Sequence, residues 1–443
     1  MQPATGSGHI SLTDRKCPYN VEIERTEKIM KYPKIIISLF FIGSLLGAQD
    51  QTHLATVINI EVPARVYNHG KFVENLSIDD FIIREDGIPQ KIEAMYFIKK
   101  TRIEREEAEV TKMPITSRHY YFFFQITKYN PKINDVFQHF FTKTLLPEDK
   151  VTIITPMNKV LNLTKKALES KPRHEIATDL HNILRKHTEI SGSEYRKIKQ
   201  DLKNATNRIA TSVIGPYEGQ TSAIEDDSFM AASGMGIAYN LENYRNKLDQ
   251  LNSMRVFSQK SLIQFAESIK KQNDTSTVFF FYEREIKPDL NLRILNRILS
   301  LYQDDPKIMS DVNDIFMAYN QIKPIDEKML EKVYADSNVL FNFIYIGVHS
   351  TDIGTSRVRG KEHSEDIFSA FSTIAEATGG VTTTAQTPSA GFKEVLDGTE
   401  TYYLLYYSPS NKNSKGNNDF RKIEVEIKDQ KFTVKHRAGY FAR

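Results

Sequence analysis

The sequence predicts an α/β protein in which a doubly wound, mostly parallel sheet is inserted into a β-sandwich formed by the two ends of the chain. Between about residues 118 and 388, apolar runs of strand length alternate with segments of helical periodicity, as in βαβ units. On both sides, shorter segments alternate apolar and charged residues, which is typical of half-buried antiparallel strands. Neither terminal set alone makes a convincing core, so we expect the two sets to pack together.

Residues 1–48 are predicted to be an amino-terminal extension followed by a signal peptide. The stretch MKYPKIIISLFFIGSLLGAQ has a basic start at Lys31 and Lys34, an apolar core over 35–46 and small residues after it. This core is too short to cross a bilayer, so no stable membrane span is expected after its removal. The alternative is a buried hydrophobic strand or helix. The pattern favours an extracytoplasmic protein, periplasmic or secreted.

Composition limits the classes of function. The chain has 443 residues, of which 40% are hydrophobic, and its single cysteine, Cys17, lies in the part expected to be removed. No disulfide, thiolate nucleophile or Cys-based zinc site is therefore expected. Loss of residues 1–48 removes six Lys/Arg and four Asp/Glu, which lowers the formal net charge from +3 to +1. A nearly neutral chain gives no electrostatic reason to expect nucleic acid as a partner.

Residues 49–112 are predicted to form an amino-terminal β segment and a linker. In HLATVINIEVPARVY apolar and polar residues alternate, and Asn68 and Gly70 follow as turn residues, which predicts a hairpin. SIDD resembles a capped helical turn, and the Asp-Gly pair at 86–87 predicts a reversal into the strand at 91–97. The mixed-sign run KKTRIEREEAEVTK, residues 99–112, is interpreted as a solvated linker or helix.

Residues 113–388 are predicted to form the α/β layer. The nearly continuous apolar run at 120–126 is typical of a parallel strand covered on both faces. A helix over NPKINDVFQHFFTKTLL follows, then strands KVTIITP and KVLNLT and a long helical section over about 165–272. The remaining elements are strands STVFFFYE, VLFNFIYIGV and VTTTA, with further helices between them, including SEDIFSAFSTIAEATGG.

A helical insertion is expected at about 188–255. Its two amphipathic stretches are compatible with a helical hairpin, and the Gly-, Ser- and acid-rich segment 215–236 between them is interpreted as a mobile loop. Two roles stay open, packing against the sheet or binding a partner.

Residues 389–443 are predicted to be a carboxyl-terminal β segment that pairs with the amino-terminal one. TYYLLYYSP is an aromatic strand, SNKNSKGNND a polar loop, and RKIEVEIK an alternating strand. A turn at Asp429 and Gln430 precedes a last strand, KFTVKH.

Several of these stretches carry a family resemblance. LLPEDKVTIITPMNKVLNLT (145–164), IFSAFSTIAEATGGVTTTA (367–385) and the strand-to-helix entry at 120–145 resemble parts of a von Willebrand factor type A domain. LSIDDFIIREDGIPQKIEAMYF, TYYLLYYSP and FRKIEVEIKDQKFTVKHRAGYFA resemble the bacterial VWFA-related family, secreted proteins with such a domain between β segments. The resemblance covers about 53–442, except for the helical insertion.

The resemblance implies a site at the carboxyl edge of the sheet. In type A domains the first strand ends in Asp-x-Ser-x-Ser, and these oxygens help bind a divalent cation that captures an acidic residue of a protein ligand. The matching residues here are Gln125, Thr127 and Tyr129, while the family's later acid falls near Glu283 and its metal-binding threonine has only Thr221 as a match. With one acid instead of two, we expect a ligand-binding edge without a full metal site and no cofactor. The alternative is Mg²⁺ or another divalent cation bound by Thr127, Thr221 and Glu283.

The sequence lacks the usual constellations of catalytic residues. On a helix, His174 and His181 would lie seven residues and about 10.5 Å apart, too far for one metal. ASGMGIA, with Gly234 and Gly236, lacks the strand and acid of a dinucleotide loop and is interpreted as a flexible turn. No catalytic residue is predicted.

The predicted function is therefore a non-catalytic interaction module that binds a protein ligand of the cell envelope or extracellular space. The alternative is an envelope enzyme, or a subunit of one, that positions a peptide or glycan.

Overall fold

A computed structural model describes residues 59–108, 114–115, 117–214, 227–254, 258–272, 274–320, 325–347, 359–410, 419–428 and 431–442. It is a mixed α/β protein, with one mixed sheet that contains the parallel strands and several antiparallel sheets. The predicted fold class is confirmed at this level. The leader, Thr221, residues 215–226 of the expected mobile loop and the turn at Asp429 and Gln430 lie outside the described residues.

The amino-terminal segment is a series of short strands. They are β1 (Ile60–Asn68), β2 (Lys71–Phe72), β3 (Phe81–Glu85), β4 (Ile88–Gln90), β5 (Ile92–Lys99) and β6 (Arg102–Ala108). Both predicted turns are confirmed, because the β1–β2 and β3–β4 hairpins turn at residues with positive φ, His69 and Gly70 in one and Asp86 and Gly87 in the other. The capped turn is a 3₁₀ helix, Ile78–Asp80.

The interpretation of residues 99–112 as a linker or helix is wrong over the part that the structure describes. Strand β6 pairs antiparallel with β5, and its side chains alternate between exposed and half-buried. Ile103 packs against the buried face of β5, and the Arg105 guanidinium lies 5.6 Å from the Phe97 ring centroid. The stems of long charged side chains can cover a sheet in this way, so a charge-rich sequence still forms an edge strand.

The central sheet has six strands in the order β14-β12-β10-β7-β8-β9. Their bounds are β7 (Arg118–Gln125), β8 (Lys150–Ile154), β9 (Val160–Leu163), β10 (Thr275–Glu283), β12 (Val339–Ile346) and β14 (Thr382–Ala385). All neighbours are parallel except β8 and β9, which pair antiparallel. Strands β7, β8 and β9 follow one another toward one edge of the sheet, and β10, β12 and β14 follow one another toward the opposite edge. The point where the direction changes lies between β7 and β10.

Helices cover both faces of this sheet. On one face, Phe122, Phe124, Phe279 and Phe281 form a core with α1 (Ile133–His139), the start of α3 (Arg173–Ile214) and α10 (Pro388–Asp397). On the other face, Phe280 lies in a core with α5 (Gln259–Lys270), α8 (Glu327–Asp336) and α9 (Glu365–Ala377). Short elements complete the layer: a π-helical turn (Phe140–Thr144), α2 (Lys165–Glu169) and a ribbon of β11 (Ile286–Asp289) with β13 (Arg359–Glu362).

A separate helical core joins the second half of α3 to α4 (Asp227–Met254), α6 (Leu292–Leu301) and α7 (Pro306–Asn320). Helix α3 is continuous across residue 188, so the expected insertion begins inside a helix that starts on the sheet. Residues 227–236, expected to be mobile loop and flexible turn, belong to α4. Leu241 and Tyr244 anchor this helix in the core, and the Ala- and Met-containing sequence before them extends it despite its glycines.

The carboxyl-terminal segment contributes β15 (Thr401–Tyr407), β16 (Phe420–Ile427), β17 (Thr433–Lys435) and β18 (Gly439–Phe441). Strand β15 lies between β1 and β5, and β16 pairs with β3, so each of the two terminal sheets contains strands from both ends of the chain. Strand β5 therefore pairs in the other sheet rather than directly with β3. Inward-facing residues such as Val62, Ile83 and Tyr403 form one core between these sheets. Helix α10 packs on the central sheet, so the expected boundary at 388/389 falls at the start of a central helix.

In the part of the chain that the structure describes, none of the helices combines the length and apolar character needed to cross a bilayer.

Candidate functional site

The carboxyl ends of β7 and β10 meet at the point where the strand order reverses. Gln125 ends β7 opposite Tyr282, and Glu283 is the last residue of β10. Aromatic and apolar residues, mostly buried, precede these two positions in both strands, so polar side chains return where the strands leave the sheet. In open α/β sheets, ligands bind outside the carboxyl ends of the strands at such a switch point.

Thr127 and Glu283 are connected by direct hydrogen bonds. The Glu283 Oε2 atom accepts hydrogen bonds from the Thr127 amide at 2.6 Å, the Thr127 hydroxyl at 2.8 Å and the Lys128 amide at 3.0 Å. Two successive backbone amides that point at one oxygen make a small anion-binding concavity. The loop after β7 therefore holds the carboxylate at the end of β10, and this interaction joins two of the predicted site residues.

Helix α3 closes over the same loop. The Arg196 guanidinium donates to the Thr127 carbonyl oxygen through Nη1, and its Nη2 atom lies 2.9 Å from the Glu189 carboxylate. At Gly192 the helix approaches so closely that a Cβ atom there would overlap the Thr127 carbonyl oxygen. Sequence reasoning missed both α3 residues. The glycine inside an amphipathic helical stretch was the available signal, since such a glycine often marks a close approach.

The other predicted residues lie apart from this pair. Tyr129 turns away to pack against the core on the α3 side, where its hydroxyl contacts Nδ1 of His181. Burial raises the pKa of Tyr129 to about 12. Burial first, and then the charge of Arg185, lower the pKa of His181. Gln125 is exposed at the end of its strand, and Thr221 is outside the described residues.

The three histidines of the first part of α3 do not form one site. His181 contacts Tyr129, whereas Nδ1 of His187 lies 3.0 Å from the Thr155 hydroxyl, and the His174 side chain is exposed. Across the described ranges, His, Cys, Asp and Glu side chains do not gather in groups of three that could hold a metal ion.

A cavity of about 550 Å³ opens beside the bonded pair. Its wall near the carboxyl edge includes Gln125, Thr127 and Glu285, and further along the sheet face it is lined by aromatic rings, among them Phe265 of α5 and Phe280 of β10. The Tyr282 hydroxyl donates to the Glu285 carboxylate at 2.5 Å. Sequence reasoning placed the site at this edge but missed Glu285, which stands two residues after Glu283.

A second polar group lies over the end of β12. The Glu362 carboxylate accepts from the Arg284 guanidinium and, at 2.7 Å, from the Tyr345 hydroxyl. Burial alone would raise the pKa of Glu362, but hydrogen bonds from Arg284 and Tyr345 outweigh it and lower that pKa. These contacts connect Glu362 of β13 to Tyr345 of β12 and to Arg284 after β10, so the group fixes the β11–β13 ribbon against the sheet.

Comparison of the chain with protein-family models, with curated proteins and with solved structures found no match.

Proposed function

We propose that this chain is an extracytoplasmic, non-catalytic protein-interaction module, in which a von Willebrand factor type A-like domain inserted in a β-sandwich binds a protein ligand at the carboxyl edge of its sheet. The observation that carries the proposal is the switch point between β7 and β10, where polar side chains and a large cavity lie together.

Two features support the type A-like assignment. The central strands, counted in chain order, are arranged 3-2-1-4-5-6, a doubly wound order with helices on both faces. The stretches that resemble a von Willebrand factor type A domain include β8 with β9 and α9 with β14, which are elements of this layer. The interleaved terminal strands with a common core support the β-sandwich.

The Thr127–Glu283 pair supports binding without a full metal site. A divalent cation prefers several oxygen ligands, and carboxylates supply most of the charge that holds it. Here one oxygen of the edge carboxylate accepts three hydrogen bonds, so binding a cation through that atom would require these donors to leave. We infer that the edge carboxylate, which would help to hold a metal ion in the domains that this one resembles, is held here by hydrogen-bond donors of the protein itself.

An extracytoplasmic location is supported by the leader pattern at residues 30–49. Fusion of residues 1–60 to a reporter that is active only after export would test it directly. An exported, shortened reporter is expected, and a reporter retained at full length would count against this part of the proposal.

Site-specific photo-cross-linking tests the interaction function. A benzophenone side chain is placed at Gln125, which is exposed at the carboxyl edge, and as a control at Ile88, which is 49% exposed on the terminal strands. We expect illumination of intact cells to give a defined adduct from position 125 and none of that mass from position 88. Absence of an adduct from position 125, or the same adducts from both positions, would contradict the proposal. Turnover of a peptide or glycan by the purified protein would favour the enzyme alternative instead.

A further inference from the structure

The cavity beside the switch point has two parts with different chemistry. Along the sheet, Tyr282 is level with Gln125, whereas Phe341 is level with Val278, four residues earlier on β10. The lining thus extends about 13 Å down the sheet face. Its volume of about 550 Å³ lies in the range of pockets that enclose a small ligand or a few side chains.

The part away from the edge is aromatic. It lies between the sheet and three helices, and its walls are formed by Phe265, Phe280, Tyr334 and Phe371. The Tyr334 hydroxyl already donates to the Leu262 carbonyl oxygen at 3.2 Å, so it does not require a ligand as partner. Such a surface gains free energy mainly by burying apolar groups, and aromatic partners add about 0.5–1.5 kcal/mol per favourable ring pair.

The part at the edge is polar and carries a carboxylate. Thr155, Ser191 and Ser261 line it with hydroxyl groups, which suit the backbone of a peptide. Among the lining residues that the structure describes, Glu285 is the one with a formal charge. The hydrogen bond from Tyr282 fixes the Glu285 carboxylate near the end of the sheet.

From this arrangement we propose that the cavity binds a peptide segment of the partner protein in which a bulky apolar side chain stands next to a lysine or arginine. The apolar side chain enters the aromatic part, and the basic side chain lies at the edge against Glu285. This deepens the proposed function and rests on it, because it names the chemistry of the ligand that the carboxyl edge binds. It differs from capture of an acidic residue by a metal ion, since the charge it requires on the ligand is positive.

Selection from a library of random twelve-residue peptides displayed on phage tests the proposal with the whole mature protein as bait. The matched variants are Ser261→Trp, which places an indole in the cavity from an exposed position of α5, and Gln264→Trp, which places one on the same helix outside the lining. Some peptides should bind the unmodified protein but not the Ser261→Trp variant. We expect these peptides to share an apolar residue beside Lys or Arg. Enrichment of acidic sequences, or no enrichment above a no-bait control, would overturn the proposal.

A selected peptide is then synthesised with a fluorophore, and its affinity is measured by anisotropy. Ser261→Trp is expected to weaken binding by about tenfold or more, and Gln264→Trp to leave it unchanged. Glu285→Gln, which keeps the shape and the acceptor for Tyr282, is expected to weaken it by about threefold or more at low salt and less at high salt. Equal affinity of all four proteins would overturn the cavity site. If the cross-link from position 125 persists in that case, the interaction function stands and only the ligand chemistry is wrong.

Discussion

The two ends of the parallel strands in the central sheet have different surroundings. At the amino end, the starts of β7, β10 and β12 face the terminal strands across a gap of only about 60 Å³. The Ala438 amide donates to the Ala377 carbonyl oxygen at 2.7 Å, and the Phe441 amide to the Asp336 carboxylate at 3.1 Å. At the carboxyl end, a cavity of about 550 Å³ opens beside the polar strand ends. One end of the sheet holds the two parts of the chain together, and the other end leaves space for a ligand.

The charged side chains at the two ends also differ in their surroundings. At the amino end, Arg118 and Asp149 are both buried and form a bidentate salt bridge. Its two hydrogen bonds are 2.9 Å, from Nε to Oδ1, and 2.6 Å, from Nη2 to Oδ2. At the carboxyl end, the Glu283 and Glu285 carboxylates are half-buried and hydrogen-bonded to neutral donors. Changes at the amino end should therefore affect stability, and changes at the carboxyl end should affect ligand binding more than stability.

The largest effect is expected from Asp149→Ala at the amino end. It leaves the Arg118 guanidinium buried without its ion partner and removes the acceptor of the Leu146 amide, so the free energy of unfolding should fall by about 3–5 kcal/mol. Glu148→Ala is the control, because its side chain is 77% exposed in a surface pair with Lys165, where about 0–1 kcal/mol is expected. Denaturant unfolding measures both. Equal losses for the two variants would contradict the distinction.

A smaller effect is expected from Gly192→Ala, where α3 meets the loop of Thr127. The added methyl group overlaps the Thr127 carbonyl oxygen, so the helix or the loop must move, at a cost of about 1–3 kcal/mol. Gly236→Ala in α4 is the matched control, because a Cβ there has open space and alanine favours the helix by about 0.5–1 kcal/mol. Thermal unfolding should thus shift in opposite directions for the two variants. A neutral Gly192→Ala would mean that α3 does not lie against this loop.

A similar or smaller loss is expected from Glu283→Ala at the carboxyl end. It removes three hydrogen bonds to a charged acceptor, but water reaches this edge, so about 1–2 kcal/mol is expected. Gln125→Ala, at the exposed end of the neighbouring strand, should stay within about 0.5 kcal/mol of the unmodified protein. Chemical denaturation of the pair measures the difference. A Glu283→Ala variant as stable as the unmodified protein would show that the bonded pair does not hold the loop.

The smallest effect concerns pH. Burial lowers the pKa of His436, whose Nδ1 donates to the Arg437 carbonyl oxygen and whose Nε2 accepts from the Val425 amide. The unfolded chain then binds a proton more readily than the folded one, so stability is lost as pH falls below the unfolded value of about 6.5. His119, His181 and His187, whose pKa values burial also lowers, should contribute in the same direction.

Melting temperatures between about pH 7.5 and 5 measure this effect. His436→Gln should flatten the decline on the acid side, and His174→Gln, at an exposed histidine of α3, should not. An unchanged decline in His436→Gln would contradict the role of that histidine.

The sequence allowed most strands to be predicted, because an apolar run such as 120–126 is a local pattern that ends at the sheet edge. The candidate residues Thr127 and Glu283 came from the family resemblance, and the structure brings these two into contact. Strand β6 was not predicted, because its many charged residues are typical of a solvated linker or helix. Its pairing with β5 stabilises it as a strand. The contact of Gly192 and Arg196 with Thr127 joins residues about 65–70 apart in the chain. The glycine could signal a close approach to the helix, but a local pattern does not specify which residue approaches it.

Thermal unfolding with added cations tests most directly whether protein donors have replaced a metal ion at the carboxyl edge. The purified protein is melted with and without a millimolar excess of Mg²⁺ or Mn²⁺, alongside Glu283→Ala. A ligand that binds only the folded state raises the melting temperature, so our account predicts no shift for the unmodified protein and a lower melting temperature for Glu283→Ala in both conditions. A cation-induced rise of several degrees that Glu283→Ala abolishes would contradict it.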